Sequence, residues 1–273
     1  LILPLRNPSR APRLPGCEPR PFSYGDFELA REALQGVDAL FMVSAAESPT
    51  REQEHLTLVR AAQAAGIQHL VYLSFAEARP DSTFTLARTH AITEEAIRRS
   101  TMKHTFVRDN FYSELMARLA DAEGVICGPA EQGRVACVAQ RDAAQAVANI
   151  MADIAAGGTQ HQGRTYTLTG SQSLSMEDIA RILTTCTGKP HRFHNETIAE
   201  AFASRRAAYP DTPDWEIEAW VSTYTAIAKG ELAQVTQDLP RLIGREPLTF
   251  EQVVTEMANS PAAVSAPRDS GKP

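Results

Sequence analysis

The sequence has few of the features that assign a chain quickly to a class. Its four cysteines are scattered without a Cys-x-x-Cys pair, and its formal net charge is −6 with no strongly basic segment. No apolar run approaches the roughly 18–20 residues of a membrane span, and no signal peptide is visible. We therefore expect reduced thiols in a cytoplasmic protein with no membrane span, and the charge disfavours nucleic acid as a main partner.

A second absence concerns phosphate binding. Dinucleotide-binding folds hold the pyrophosphate on backbone N–H groups of a Gly-x-Gly-x-x-Gly loop, which follows the first strand. This spacing occurs nowhere in the sequence. Taken alone, its absence counts against a dinucleotide-binding fold.

What the sequence does contain is a regular alternation of strand and helix patterns over its first two-thirds. Apolar runs that predict buried strands stand at residues 1–5, 39–43, 69–74 and 104–107, with a weaker strand at 21–24. Helical spacing predicts helices at residues 26–35, 49–65, 89–99 and 141–155. Such alternation predicts an α/β fold with a doubly wound, parallel Rossmann sheet, here without its first strand and glycine-rich loop.

The residue after the strand at 1–5 bears on the choice of cofactor. If this strand is the second of a Rossmann fold, an acidic residue at its end bonds the ribose 2′-hydroxyl of NAD, whereas an arginine pairs with the 2′-phosphate of NADP. Arg6 stands at that end and no acid is near. This favours NADP(H) over NAD(H), although a solvated surface arginine explains Arg6 equally well.

Two further positions follow predicted strands. Asp26 is placed to accept a hydrogen bond from an adenine amino group or to cap the helix that begins there, and the two roles are compatible. Ser44 and the two alanines after it are small enough to let the backbone approach a cofactor closely, but tight packing also explains them.

Seven short segments together resemble the NmrA-like family of atypical short-chain dehydrogenases, most of all its NADPH-dependent quinone oxidoreductases. The segments are Gly25–Phe27, Gly36–Ser44, His69–Ser74, the His-x-x-Thr-Glu helix at 90–94, Phe106–Tyr112, Arg141–Ala144 and Tyr166–Gly170, with Leu174 and Ser175 following. Each is weak alone, but their order and spacing over residues 1–190 are specific.

The resemblance implies roles for particular residues. It implies cofactor contacts for Arg6, Asp26, Phe27 and Ser44. It places Ser74, Phe75 and His90 at the nicotinamide and the substrate, with His90 and Ser74 as the catalytic residues. It assigns the wall of the substrate pocket to Asn110, Phe111 and Tyr112.

A change in the pattern of strands and helices after about residue 141 suggests how the chain is divided. We expect an N-terminally incomplete NAD(P)-binding domain over residues 1–155 and a smaller, mainly helical substrate or cap region over 156–258. Capping boxes at 175–178 and 249–252 open helices in the second part. We expect residues 259–273, which are rich in serine, proline and alanine, to form a disordered tail.

One departure from conventional dehydrogenases restricts the chemistry. These enzymes use Tyr-x-x-x-Lys, in which the lysine lowers the tyrosine pKa and makes it a proton donor. Here Leu86 stands four residues before His90, so no such tyrosine is available. Hydride delivery to a quinone or similar flat acceptor does not require this tyrosine donor, because the oxygens of the acceptor can take a proton from water or from His90. A non-catalytic redox sensor with a regulatory protein partner remains the main alternative, and an isomerase is a weaker one.

Other site chemistries find little support. His191 and His194 would point to opposite faces of a strand, which spoils shared metal ligation, and we expect no metal. Ser74 lacks the Gly-x-Ser-x-Gly elbow of a hydrolase nucleophile. The sequence leaves the oligomeric state open, including a homodimer.

The missing first strand leads to a structural expectation. In the 3-2-1-4-5 strand order, that strand lies between residues 1–5 and 39–43, which then belong to one sheet. We expect roughly 25 further residues upstream, forming a strand, a glycine-rich loop and a helix, because unpaired buried backbone groups cost roughly 1–3 kcal/mol each. The alternative is that residues 1–5 pair directly with 39–43.

Overall fold

The structure is a computed structural model that describes residues 1–259. Its strands are β1 Ile2–Leu5, β2 Glu18–Pro21, β3 Ala39–Met42, β4 His69–Phe75, β5 Lys103–Asp109, β6 Val125–Gly128, β7 Arg134–Val135, β8 Arg164–Leu168, β9 Leu174–Ser175 and β10 Arg192–Asn195. Its α-helices are α1 Phe27–Ala33, α2 Arg51–Ala65, α3 Thr85–Arg98, α4 Ser113–Met116, α5 Gln140–Ala155, α6 Met176–Thr187, α7 Ile198–Ala208, α8 Asp214–Ala228, α9 Asp238–Ile243 and α10 Phe250–Asn259.

The largest sheet has the strand order β3-β4-β5-β8. Strands β3 and β4 are parallel, with Ala39 opposite His69 and Met42 opposite Tyr72. Helix α2 connects β3 to β4, and α3 connects β4 to β5. The predicted α/β class with strands and helices in alternation is therefore confirmed.

Strands β1 and β2 form a separate parallel pair. The backbone N–H groups of Glu18 and Phe22 donate to the carbonyl oxygens of Leu1 and Leu5 at 2.9 and 3.0 Å. Pro19 and Pro21 occupy the alternate positions, which face away from β1 and carry no N–H group. Strand β2 is thus suited to a sheet edge, and it ends where the sequence predicted a strand to begin, at residue 21.

The expectation that residues 1–5 and 39–43 share one sheet is wrong for the described residues. Strand β1 pairs with β2, and β3 pairs with β4, in two different sheets. One sheet would require a strand that bridges β1 and β3, and no described segment supplies it. The alternative, direct pairing of residues 1–5 with residues 39–43, is also wrong, because β1 pairs with β2 and β3 pairs with β4.

The chain divides into two compact units. One comprises Leu1–Ser74, Arg88–Val107 and Ile150–Tyr166. Its core is formed by apolar side chains that are at most 1 % exposed, which include Leu34, Met42, Leu58, Leu70 and Ile97. These residues come from α1, β3, α2, β4 and α3 and their ends, so burial of one apolar face of each element stabilises this unit.

The other unit comprises Phe75–Ala87, Arg108–Asn149 and the chain from Thr167 onward. Its core includes Met116, Ile126, Ile179, Tyr224 and Phe250, none more than 3 % exposed. The proposed division at residue 155 into a cofactor domain and a cap region stays a prediction, because compactness does not show what each part binds.

The helix starts are set by the caps that the sequence predicted. Asp26 accepts from the N–H of Leu29 at 3.0 Å and begins α1. Ser175 and Asp178 form a reciprocal capping box at the start of α6, and Thr249 exchanges hydrogen bonds with Gln252 at the start of α10. The predicted tail begins at Asn259, which ends α10, and its remainder lies outside the described residues.

Gly170, in the predicted Tyr-x-Leu-Thr-Gly segment, offers a test of close packing. A Cβ at this position would lie 2.3 Å from the carbonyl oxygen of Cys137, which accepts the N–H of Gly170. We expect Gly170→Ala to lower the free energy of unfolding by about 1–3 kcal/mol, measured by urea denaturation. In the control Gly25→Ala, the added Cβ meets only Glu54 at 3.7 Å. A Gly170→Ala protein as stable as Gly25→Ala contradicts the packing argument.

Candidate active site

Three polar residues on one face of α3 form the centre of the candidate site. His90, Thr93 and Glu94 are spaced i, i+3 and i+4, so they lie on the same side of the helix. They are 7 %, 0 % and 0 % exposed. Buried polar side chains need hydrogen-bond partners, and each of these three has one within the first unit.

His90 connects α2, α3 and the sheet. Its Nε2 lies 3.0 Å from the Nη2 of Arg51, and its Nδ1 lies 3.0 Å from the hydroxyl of Tyr72. The Tyr72 hydroxyl is also 3.1 Å from the Oγ of Ser44, which contacts the carbonyl oxygen of Leu73 at 3.2 Å. Two of the predicted site residues, Ser44 and His90, are thus joined through Tyr72.

His55 holds the loop after β3. Its Nε2 accepts from the backbone N–H of Ala45 at 2.9 Å, so the ring proton lies on Nδ1, which donates to Thr93 at 2.9 Å. Thr93 in turn donates to the carbonyl of Thr89 at 2.8 Å. Burial, and then the charge of Arg51, lower the pKa of His55 to about 3, so this ring is neutral.

Ser74 is fully buried and bonded to α3. Its hydroxyl donates to the carboxylate of Glu94 at 2.7 Å, and the same carboxylate pairs with Arg98 at 2.7 Å. In this arrangement the Ser74 hydroxyl fixes the end of β4. Its catalytic role stays a prediction.

The predicted cofactor residues outside this network occupy different environments. Arg6 is exposed after β1, and Asp26 is exposed while its carboxylate caps α1. Phe27 is half-buried and packs against the core of the first unit. The structure does not bring Asp26 or Phe27 into the hydrogen-bond network of His90.

The charges of Arg6 and Arg51 both act on the hydroxyl of Tyr24. Burial raises the pKa of Tyr24 to about 12, while the charges of Arg51 and Arg6 oppose the rise. Its hydroxyl donates to the carbonyl oxygen of Val43. Tyr24, Ser44 and His55 therefore fix three consecutive residues, 43–45, at the carboxyl end of β3.

In the second unit, Phe75 and Phe111 belong to an aromatic cluster with Phe84. The three ring centroids are 5.0–5.1 Å apart, and each residue is 7 % exposed. Tilted and edge-on contacts of this kind stabilise a core. The structure thus joins two predicted site residues, Phe75 and Phe111, through packing.

Asn110 and Tyr112 flank Phe111 and differ in exposure. Asn110 is 2 % exposed, donates to the carbonyl of Leu232 at 3.0 Å and accepts from the N–H of Phe111 at 2.8 Å. Tyr112 is half-buried, and its hydroxyl donates to the carboxyl of Asp109. Of the three predicted pocket residues, Tyr112 alone keeps substantial exposed surface.

Sequence reasoning missed Arg51, His55 and Tyr72. Arg51 and His55 are spaced i, i+4 on α2, which places them on one helix face and was the available signal. Tyr72 stands within an apolar strand, where its hydroxyl predicts a buried hydrogen bond without naming the partner. Their partners lie 10 to 39 residues away along the chain, so local spacing does not reveal them.

Two other features are absent from the described residues. No group of three or more His, Cys, Asp or Glu side chains within 1–259 is arranged to hold a metal ion. None of the helices over the same range combines the length and the apolarity needed to cross a bilayer.

Comparison with known proteins gives consistent results. The model of the NmrA-like family matches residues 22–252. Quinone oxidoreductase 2 of Escherichia coli is 30% identical over 264 residues, which cover 95% of this chain and 90% of that protein. A (4-alkanoyl-5-oxo-2,5-dihydrofuran-3-yl)methyl phosphate reductase of Streptomyces griseus is 32% identical over 243 residues, covering 87% of this chain and 82% of the relative.

A solved structure shows the same fold. The NADPH-dependent quinone oxidoreductase QOR2 of Escherichia coli, crystallised with NADPH, superposes with a TM-score of 0.85 at 29% identity. The match covers 94% of this chain and 90% of that one.

Asp109 provides a pH test of the second unit. Burial raises the pKa of its carboxyl to about 7, although the hydrogen bond from Tyr112 opposes the rise. In the unfolded chain the pKa is about 3.9, so between these values the folded state binds more protons than the unfolded state. The contribution of Asp109 to stability is therefore complete below pH 4 and is lost as the pH rises toward 7.

We expect the advantage in unfolding free energy of the wild type over Asp109→Asn to shrink between pH 5 and 7, by at most about 1.4 kcal/mol per pH unit. Urea denaturation of both proteins at several pH values measures the difference, and groups common to both cancel. Parallel pH profiles would show that Asp109 titrates normally.

Proposed function

This chain belongs to the NmrA-like family, and from that premise we propose that it is an NADPH-dependent oxidoreductase that reduces a quinone or a similar flat acceptor. The observation that carries the proposal is the polar network at the carboxyl ends of β3 and β4, where Ser44, Tyr72 and His90 are joined by hydrogen bonds. Ligands of open α/β sheets bind at this edge. The relatives named as reductases support the same reaction class.

Arg6 supports binding of the phosphorylated cofactor. It is an exposed cation after β1, no acid lies within residues 1–10, and no ion pair engages it among the described residues. An arginine in that setting can form bidentate hydrogen bonds with a phosphate group. These features fit the adenosine 2′-phosphate of NADPH.

The same residues do not account for the cofactor's diphosphate. The printed sequence has no Gly-x-Gly-x-x-Gly loop, whose backbone N–H groups usually hold it. The fit therefore concerns the adenosine end, through Arg6, and the nicotinamide end, through the loop at 44–46 and His90. We keep Asp26 and Phe27 as proposed contacts of the adenine.

The bound cofactor would supply a hydride, and the residues at the strand ends would bind and orient the reactants. Carbonyl reduction by conventional relatives uses a tyrosine as the proton donor, and Leu86 stands at that position here. A conjugated flat acceptor can stack against a nicotinamide and become reduced without such a donor. Quinones have this chemistry, and we propose them as the acceptor class.

We propose Tyr112 as the residue of the predicted pocket wall that contacts the acceptor. Tyr112 is half-buried, whereas Asn110 and Phe111 are buried and engaged in hydrogen bonding and packing within their own unit. A tyrosine ring that is accessible on one side offers a flat apolar surface for a planar molecule.

The activity is tested with purified protein, NADPH and a panel of quinones, by following the loss of NADPH absorbance. Turnover with quinones and none with a simple aldehyde supports the proposal. NADPH binding without turnover of any acceptor would instead indicate a non-catalytic redox sensor, and no dinucleotide binding would exclude both functions.

We expect Arg6→Ala to weaken NADPH binding by about tenfold to a hundredfold, since charged hydrogen bonds contribute roughly 1.5–3 kcal/mol. NADH lacks the 2′-phosphate, so its dissociation constant should stay within about twofold. Calorimetric titration measures both constants. Arg10→Ala is the matched control, because Arg10 is an exposed arginine four residues further on. If Arg6→Ala weakens the binding of NADPH and NADH equally, Arg6 does not recognise the 2′-phosphate and is an ordinary surface residue.

A further inference from the structure

Arg51 is an unusual component of the network around His90. It begins α2, is 5 % exposed, and its Nη2 lies 3.0 Å from the Nε2 of His90. Its Nε and Nη1 have no hydrogen-bond partner, and no ion pair joins it to a carboxylate in the part of the chain that the structure describes. Burial of an unpaired cation is costly, so the contact with His90 requires a functional explanation.

The contact of Arg51 with Nε2 determines which ring nitrogen of His90 carries the proton. A guanidinium has only donors, so Arg51 donates and the Nε2 of His90 must accept. The ring proton of a neutral imidazole then lies on Nδ1, which faces the hydroxyl of Tyr72 at 3.0 Å.

The other end of the chain of hydrogen bonds requires the same tautomer. Ser44 donates to the carbonyl oxygen of Leu73, because a carbonyl can only accept. The hydroxyl of Tyr72 therefore donates to Ser44 and can only accept from His90. Both ends thus place the proton on Nδ1, and every bond runs in one direction from Arg51 to Leu73.

We propose that Arg51 is a positioning residue that holds His90 as the Nδ1–H tautomer, so that His90 orders Tyr72 and Ser44 and does not supply the proton of the reaction. The inference rests on the proposed function for its consequence. Reduction of a quinone to a hydroquinone consumes one hydride and one proton. Both ring nitrogens of His90 are occupied, so the proton comes from water.

The tautomer is observed directly by long-range proton–nitrogen correlation spectra of the imidazole rings at neutral pH. The chain has seven histidines, and the signals of His90 are assigned by their loss in His90→Gln. We expect the Nδ1–H pattern for His90 in the wild type. His55 serves as an internal control, because the N–H of Ala45 fixes it in the same form independently. An Nε2–H or doubly protonated His90 would overturn the proposal.

Variants of Arg51 test its role as the positioning group. Arg51→Met removes the donor and should shift His90 toward a mixture of tautomers, while His55 keeps its pattern. Arg51→Lys retains a donor and should restore the Nδ1–H form, which also covers the case in which the methionine variant does not fold. If His90 keeps the Nδ1–H pattern in a folded Arg51→Met protein, Arg51 does not set the tautomer.

Variants of His90 separate hydrogen bonding from proton transfer. In His90→Gln the amide oxygen can accept from Arg51 and the amide NH₂ can donate to Tyr72, but the amide does not exchange a proton as an acid. We expect both variants to lose turnover, but we expect His90→Gln to retain at least about tenfold more of it than His90→Leu and to keep the pH profile of the wild type. Equal losses in the two variants, or no loss in His90→Leu, would overturn the proposal.

These readouts are independent of the proposed activity. The spectra need no cofactor and no acceptor, so a correct tautomer with no quinone turnover would reject the proposed function and leave the role of Arg51 standing. Quinone turnover in a protein whose His90 carries the Nε2–H form would reject the role of Arg51 and leave the proposed function standing.

Discussion

The site depends on the need to satisfy the buried polar face of α3. His90, Thr93 and Glu94 are almost fully buried, and a buried polar group without a partner costs about 1–3 kcal/mol. Their partners are Tyr72, His55 and Ser74, which belong to β4 and α2. Neither β4 nor α2 can shift against α3 without breaking several of these bonds together. The helix therefore determines the geometry of the strand ends at which a ligand would bind.

The sequence alone was enough to predict the elements of this arrangement, because they follow from local patterns. Apolar runs predicted β3, β4 and β5, and helical spacing with its caps predicted α1, α2 and α5. The His-x-x-Thr-Glu segment correctly pointed to α3. The roles of Arg51 and His55 were not predictable, because their bonds reach residues 38 and 39 positions away. The pairing of β1 with β2 was also missed, since alternating prolines made β2 a weak strand pattern.

The chemistry of the site follows from what this network contains and what it lacks. The place of the usual tyrosine donor is taken by Leu86. The groups that remain at the strand ends are hydroxyls and histidines engaged with the protein, and His55 is kept neutral by burial and by the charge of Arg51. Such groups orient a ligand well but transfer protons poorly. This is the arrangement that the proposed hydride transfer requires, in which the reduced acceptor takes its proton from water.

The positive charge of Arg51 sets the sign of the electrostatic potential at the strand ends, where the other polar groups are neutral. No described carboxylate pairs with it, so its field is not cancelled locally, and it reaches Tyr24, His55 and Tyr72 strongly enough to shift their pKa values. Charge interactions decay slowly in a buried setting, where the effective dielectric constant is low. A positive potential at the strand ends favours any anion that binds or forms there. A dinucleotide carries such anions in its phosphates, and a quinone that has accepted a hydride becomes one. An anion held at the strand ends would offset part of the cost of burying Arg51, as the proposed function requires.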